Sequence, residues 1–429
     1  MLPPDGLEKC LENNVTVPNV LLSESYLFTK SSSSNLSCVD EDVNPEIDSN
    51  SPSTYVAGTF EGPEKTIEVC FRPGVGHADG LRALTREQLD HLCKKAKCEI
   101  VSSIAGNHMD AYVLSESSLF IYKHKYIMKT CGTTTLLRCL GDLLVFADEL
   151  GLELTWVGYS RKNLFFPGAQ QWPHSSFGHE IEFLGSHDKL QERLRGSAYI
   201  LGPVTGDHWY VYVADHTEVP MSLSAPVPSE ITINLMMFDM APEVSENFFR
   251  AKCPTARDMT TVSGIAELVP GATIDDMAFT PCGYSMNAIL HDSYSTIHVT
   301  PEKECSYASF ETNGLLRNYL PLIRNALNVF RPKRFVCTMF GDENAIKNVE
   351  TPFNHSSISV GNASKNQYTR TSMSSTKVEF DFCCLMACFS LDNKTGAFSV
   401  ESEQLLEALS KKTKDLKGMD KKPRGYSLC

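Results

Sequence analysis

The chain has 429 residues, long for one ordinary domain, so it holds either two domains or one large core with appended segments. With 39 Lys plus Arg against 52 Asp plus Glu its net charge is −13, a balance that repels nucleic acid and anionic membranes and accommodates cationic ligands. Fifteen cysteines without a C-x-x-C pair, an opening MLPPDGLEKC that lacks a basic-then-apolar signal pattern, and no apolar run near the ~20 residues of a membrane span are expected of a cytoplasmic protein with reduced, buried thiols.

Residues 1–54, rich in Ser, Asn, Asp and Pro, read as a flexible extension. From Thr66, TIEVCF alternates as a half-buried strand, with Ile67, Val69 and Phe71 on one face. LTREQLDHLCKKA then predicts a helix capped by Thr85, with Gln88 at capping-box spacing and Leu89, Leu92 and Cys93 inward. EIVSSI, AYVL and LFIYKHKYIM are strand-like, and TTTLLRCLGDLLVFADELG predicts a helix starting near Thr133 and closed by Gly151. SAYILGPV and HWYVYVA form a predicted hairpin around Thr205–Asp207, ITINLMMF a strand, and LLRNYLPLIRNALNVF a helix. RFVCTMF and KVEFDFCCLMACFSL close the pattern as strands, with the polar segment from Gly341 to Thr376 expected as a loop and a basic, solvated tail over 401–429. Strands in adjacent runs between long helices favour α+β with antiparallel sheets over a doubly wound parallel fold. No internal repeat is evident.

Within YVLSESSLF, a strand stops at Leu114 and resumes at Leu119, with Ser115 to Ser118 between. Two readings stand: a polar hairpin turn, since Ser is a common turn residue, or a hydroxyl placed to attack its own backbone. Three further segments concentrate Ser, Cys, His and Glu beside Gly: FEGPEK, KTCGTT, and FTPCGYSMN followed by TIHVTPE. Each alone is weak, because a Cys before Gly or a His inside TIHV is more often structural than catalytic.

Together, and in this order, the four segments resemble the eukaryotic S-adenosylmethionine decarboxylase proenzyme family, as do YSRKN, SGIAELVPG and ETN. The resemblance runs from about Phe60 to about Phe340, more weakly to the last strand, and implies a decarboxylase domain over 55–400. It also implies a four-layer α/β/β/α sandwich, two antiparallel sheets face to face with helices outside.

What the resemblance implies chemically is a chain that cuts itself between Glu116 and Ser117, leaving a small chain 1–116 and a large chain 117–429 that begins with a pyruvoyl group made from Ser117. An inert amide yields to a hydroxyl only where the backbone is strained and donors for the oxyanion stand ready. Ser285 matches the hydroxyl that supports the rearrangement, and His298 matches the base that removes the Ser117 α-proton, an imidazole being in the right titration range. The pyruvoyl carbonyl then forms a Schiff base with S-adenosylmethionine and takes up the electrons released with carbon dioxide. Cys131 matches the proton donor, its thiol pKa expected low at a helix N-terminus. Phe60 and Phe279 match the aromatics that sandwich the adenine, Glu302 the carboxylate on the ribose, and Glu61 and Glu64 acidic residues of the site, with Glu116 beside the substrate. The product would supply aminopropyl groups for spermidine and spermine.

On putrescine, the activator of animal members, the residues point both ways. Glu68 and Lys129 fit its acidic site, whereas Thr232 and Pro228 stand where acids are expected. FFPGAQQWPH resembles plant members, which work without the diamine, yet Thr66 replaces their compensating Arg. The same mixture leaves a homodimer, expected of animal members, open. Two rival readings remain: an inactive relative that activates an active partner, against which the presence of Ser117, Cys131, Ser285 and His298 speaks, and a Cys or Ser hydrolase pairing Cys131 with His298.

Overall fold

The computed structural model describes residues 60–188, 190, 194–215, 230–361, 366–378 and 382–392, so the extension 1–54 and the tail 401–429 lie outside the described residues. Period-two alternation builds β1 (Lys65–Phe71), which buries Lys65, Ile67, Val69 and Phe71 on one face. Thr85 caps α1 (Arg86–Ala96) with the full capping box to Gln88, as its spacing predicts. There follow β2 (Ile100–Ala105), β3 (Met109–Leu114), β4 (Ser117–Tyr122) and β5 (Lys125–Thr130), so LFIYKHKYIM is two strands of a hairpin, not one. Then come α2 (Leu140–Glu149), β6 (Leu154–Lys162), α3 (Phe177–Gly185), β7 (Arg195–Leu201) and β8 (Trp209–Asp215). These eight strands form one antiparallel sheet in the order β2-β3-β4-β5-β1-β6-β8-β7.

The second half repeats the plan. It runs β9 (Ile231–Met240), α4 (Ala256–Ser263), β10 (Thr273–Ala278), β11 (Tyr284–Leu290), β12 (Ser293–Thr300) and β13 (Tyr307–Thr312). After α5 (Leu320–Phe330) come β14 (Pro332–Asp342), β15 (Ser357–Val360), β16 (Asn366–Lys377) and β17 (Phe382–Leu391). The order of this second antiparallel sheet is β10-β11-β12-β13-β9-β14-β17-β16-β15. Its first six positions reproduce those of the first sheet, a topological repeat that the residues do not display.

Three cores separate four layers. Helices α1, α2 and α3 bury Leu89, Leu92, Leu143 and Leu184 on the outer face of the first sheet, against Ile67, Val69 and Leu119. Helices α4 and α5 bury Met259, Ile323 and Leu327 against Leu235, Ile297 and Phe310 of the second. Between the sheets Val211 and Val213 meet Met236, Val336 and Met386, and Phe120 stacks on Tyr294 with ring centroids 4.2 Å apart. The fold is the α/β/β/α sandwich. The segment from Gly341 to Thr376 is not a loop, since it carries the end of β14, a short helix Glu343–Lys347, β15 and nearly all of β16.

Candidate active site

The break in YVLSESSLF is a two-residue turn, Ser115–Glu116, that closes the β3–β4 hairpin with Leu114 opposite Ser117. Ser117 has φ +131°, a value that L-residues rarely adopt, so the bond following the turn is strained. Its side chain is buried, and among the described residues its Oγ has no hydrogen-bond partner. The Glu116 carbonyl already accepts the Cys131 backbone N–H at 3.1 Å, and the Cys131 Sγ lies 3.5 Å from the same oxygen. The stretch is thus a hairpin turn, and it carries an unpartnered hydroxyl next to a carbonyl that already accepts a hydrogen bond.

Cys131 sits at the end of β5 in a turn, not at a helix N-terminus. The expected helix from Thr133 begins only with a 3-10 turn at Leu136 and becomes α2 at Leu140, because Thr134 Oγ1 donates to Thr130 and Thr135 Oγ1 to the Lys95 carbonyl instead of capping. Without that dipole, burial pushes the Cys131 thiol well above its usual value, assisted by Glu116 and Glu64, the reverse of the expected shift. Burial likewise raises Glu116, whose Oε2 lies 3.7 Å from the Cys131 Sγ.

Lys65, which sequence reasoning missed, lies beneath this turn. Its fully buried ammonium donates to the Gly132 carbonyl at 2.9 Å and to Gln170 Oε1 at 3.2 Å, and burial lowers its pKa to about 8. The alternation of β1 was the available signal, since it sets Lys65 on the face of Ile67 and Val69. Glu61 accepts the backbone N–H groups of Phe165 and Phe166, both at 2.9 Å, and so fastens the FFPGAQQ segment; burial raises its pKa. Glu64 accepts from the Tyr307 hydroxyl at 2.9 Å and from Ser309, both on β13.

His298 on β12 faces the inter-sheet layer. Its Nδ1 is 2.8 Å from Ser285 Oγ, its register partner on β11, and its Nε2 is 2.9 Å from Thr296 Oγ1 and 3.1 Å from Ser118 Oγ across the sheets. Burial, then Lys129, lowers its pKa to about 3, so it is neutral at physiological pH rather than titrating there. His298 and Ser285 thus reach β4 through Ser118, and Cys131 hydrogen-bonds Glu116 rather than His298, so the Cys–His pairing of a hydrolase is not assembled.

Phe60 packs on Gly132, where an added Cβ would lie 3.1 Å from the ring. Its backbone also meets the Cys305 thiol, in the turn that Glu302 closes by accepting the Cys305 N–H at 3.1 Å. Glu302 Oε2 is buried with no partner among the described residues, and the carboxylate helps burial push the Cys282 thiol up to about 12. Phe279 is half-buried in the turn to Gly283 that enters β11.

Beside this site an inter-sheet cavity is lined by Glu64, Thr66, Glu68, Thr232, Asn234 and Glu311. Lys129 Nζ contacts Glu311 at 2.6 Å and Thr66 at 3.2 Å, and Lys125 Nζ bridges Glu68 at 3.0 Å and Glu230 at 2.6 Å. Pro228 lies outside the described residues, and the acid that this segment contributes is Glu230, which the sequence reading did not single out.

The adenosylmethionine decarboxylase family matches residues 57–390. An S-adenosylmethionine decarboxylase proenzyme of Dictyostelium discoideum is 43% identical over 67% of this chain and 76% of its own length. Proenzymes of the same description from Xenopus laevis and Helianthus annuus are 41% and 42% identical, over 67% and 68% of this chain and 84% and 82% of theirs. With a family match over residues 57–390 and relatives above 40% identity along two thirds of its length, the chain belongs to the adenosylmethionine decarboxylase family.

Proposed function

We propose that the chain is a self-processing decarboxylase that makes its own pyruvoyl group from Ser117 and converts S-adenosylmethionine to its decarboxylated form for spermidine and spermine synthesis. The observation that carries this reading is the buried, unpartnered Ser117 hydroxyl at φ +131° beside the Glu116 carbonyl held by the Cys131 N–H. Attack of Oγ on that carbonyl carbon forms an ester as the C–N bond breaks, with the Cys131 N–H supporting the oxyanion. Removal of the Ser117 α-proton by His298, neutral and so able to accept it, expels the Glu116 carboxylate. The dehydroalanine left behind hydrolyses to pyruvoyl and ammonia.

The residues around position 117 fit such a group: a Cys131 that keeps its proton beside the Glu116 carbonyl, and buried carboxylates suited to a cationic substrate. Bound there, the group would supply the carbonyl that engages the substrate amine and withdraws electrons as carbon dioxide leaves. Cys131 holds the proton at Sγ that replaces the carboxylate. Phe60 and Phe279 would flank the adenine, and the unpartnered Glu302 Oε2 would accept the ribose hydroxyls.

Putrescine is not required in this reading, since Glu68, Glu230 and Glu311 carry lysines of the chain itself. Equal rates of carbon dioxide release with and without the diamine are expected, and strong stimulation would refute the point. The main test is intact-mass analysis after denaturing electrophoresis: a small chain ending at Glu116 and a large chain without a free amino terminus are expected, with neither formed by Ser117→Ala. A single inert full-length chain would instead favour the inactive relative.

A further inference from the structure

Three buried polar side chains that the proposed chemistry does not use surround the Nε2 edge of His298. Ser118 Oγ donates to Asn287 Oδ1 at 2.6 Å and lies 3.1 Å from both Thr296 Oγ1 and His298 Nε2. Thr296 Oγ1 is 2.9 Å from the same nitrogen. Ser118 and Asn287 are wholly inaccessible, and water cannot supply missing partners. The hydrogen count then fixes a direction. A serine has one hydroxyl proton, and Ser118 gives it to Asn287, so Ser118 can only accept from its other neighbours. With Thr296 donating to Ser118 and accepting from Nε2, every one of these contacts is a hydrogen bond, whereas Thr296 donating to Nε2 would leave the Ser118 oxygen facing two lone pairs. A neutral imidazole bound this way carries its proton on Nε2 and keeps the lone pair on Nδ1, 2.8 Å from the Ser285 hydroxyl.

Turning the Asn287 amide over would reverse every bond in the chain and move the ring proton to Nδ1. The orientation of one amide thus selects the tautomer two hydroxyls away. Asn287 Nδ2 is buried without a partner among the described residues, a cost that an apolar side chain on β11 would not incur. What the position supplies is the amide oxygen, not packing.

We propose that Asn287 is a positioning residue which, through Ser118 and Thr296, holds His298 in the Nε2–H tautomer, with a basic Nδ1 toward Ser285. The inference rests on the reading of His298 as the base in self-cleavage, and it makes Nδ1 the atom that acts.

The test uses Ser117→Ala full-length precursor with ¹⁵N-labelled imidazoles, in which protonated and unprotonated ring nitrogens resonate far apart; His298 is assigned by its loss in His298→Asn. Nε2 is expected to carry the proton. Asn287→Asp, which as a carboxylate can only accept, should keep that state when ionised, and Asn287→Leu should mix or reverse it. In the otherwise wild-type chain Asn287→Leu should slow the appearance of the two products by about a hundredfold, within the range of a positioned base, while Asn287→Asp still cleaves. A ring proton on Nδ1, or a tautomer indifferent to Asn287→Leu, overturns the inference. If Asn287→Leu does not fold, Asn287→Asp decides, since Nδ1–H there is equally fatal. Failure of the wild-type chain to cleave, with the tautomer as stated, would sink the functional reading instead.

Discussion

Burial displaces Lys65, Cys131 and His298 in the same sense, toward the uncharged form, because each ionised side chain would stand in an interior that solvates it poorly. For His298 this has a consequence for stability. Its native pKa of about 3 lies below the unfolded value of 6.5, so between these limits the unfolded chain binds more protons and stability falls as the pH falls. The contribution is intact above 6.5 and lost progressively toward 3. Each pH unit in that window costs up to about 1.4 kcal/mol. Comparing denaturant midpoints of Ser117→Ala and Ser117→Ala/His298→Asn at about pH 7 and about pH 4, the second should lose about 2–3 kcal/mol less. Equal losses would mean that His298 is protonated in the native state. The motif TIHVTPE names this histidine, but neither its neutrality nor its dependence on Asn287 and Ser118 is legible there, because both arise from side chains on strands of different sheets. Lys65 is legible from the alternation of β1, which sets it on the face of Ile67 and Val69.

At the level of elements, strands with a sustained burial pattern announce themselves: TIEVCF by alternation, with one face buried, and RFVCTMF by an apolar run, with both faces buried from Phe335 to Met339. The misreading from Gly341 to Thr376 has the opposite cause. β15 is the sheet's edge strand and too short, at SISV, for its alternating Ile358 and Val360 to stand out, while β16, NQYTRTSMSSTK, has Tyr368 as its one fully buried side chain and carries no apolar period. The pairing of β16 with β17 and of β15 with β16 is made by backbone hydrogen bonds, which composition does not encode. The late start of α2 has a tertiary origin in part: Thr134 gives its hydroxyl to Thr130 at the end of β5, a local contact, but Thr135 gives its own to the Lys95 carbonyl on α1, forty residues away, where propensity cannot register it. The capping box of α1 was legible because it is wholly local.

For the whole molecule the strand order decides what the proposed self-cleavage would do to the fold. A cut after Glu116 leaves β1, β2, α1 and β3 on the small chain, yet β1 lies between β5 and β6 of the large chain, in register with six residues of one and seven of the other. β3 remains paired along β4. The small chain also keeps Ile67, Val69, Leu89, Leu92 and Val113 buried; at about 2 kcal/mol for each such side chain, their burial alone is on the order of 10 kcal/mol. Withdrawing β1 would open the centre of an eight-stranded sheet, so no partial separation is available short of unfolding that layer. The two products should therefore elute as one species in native gel filtration and separate only in denaturant. Loss of the small chain on dialysis without denaturant would contradict this strand order, whatever the activity of what remained.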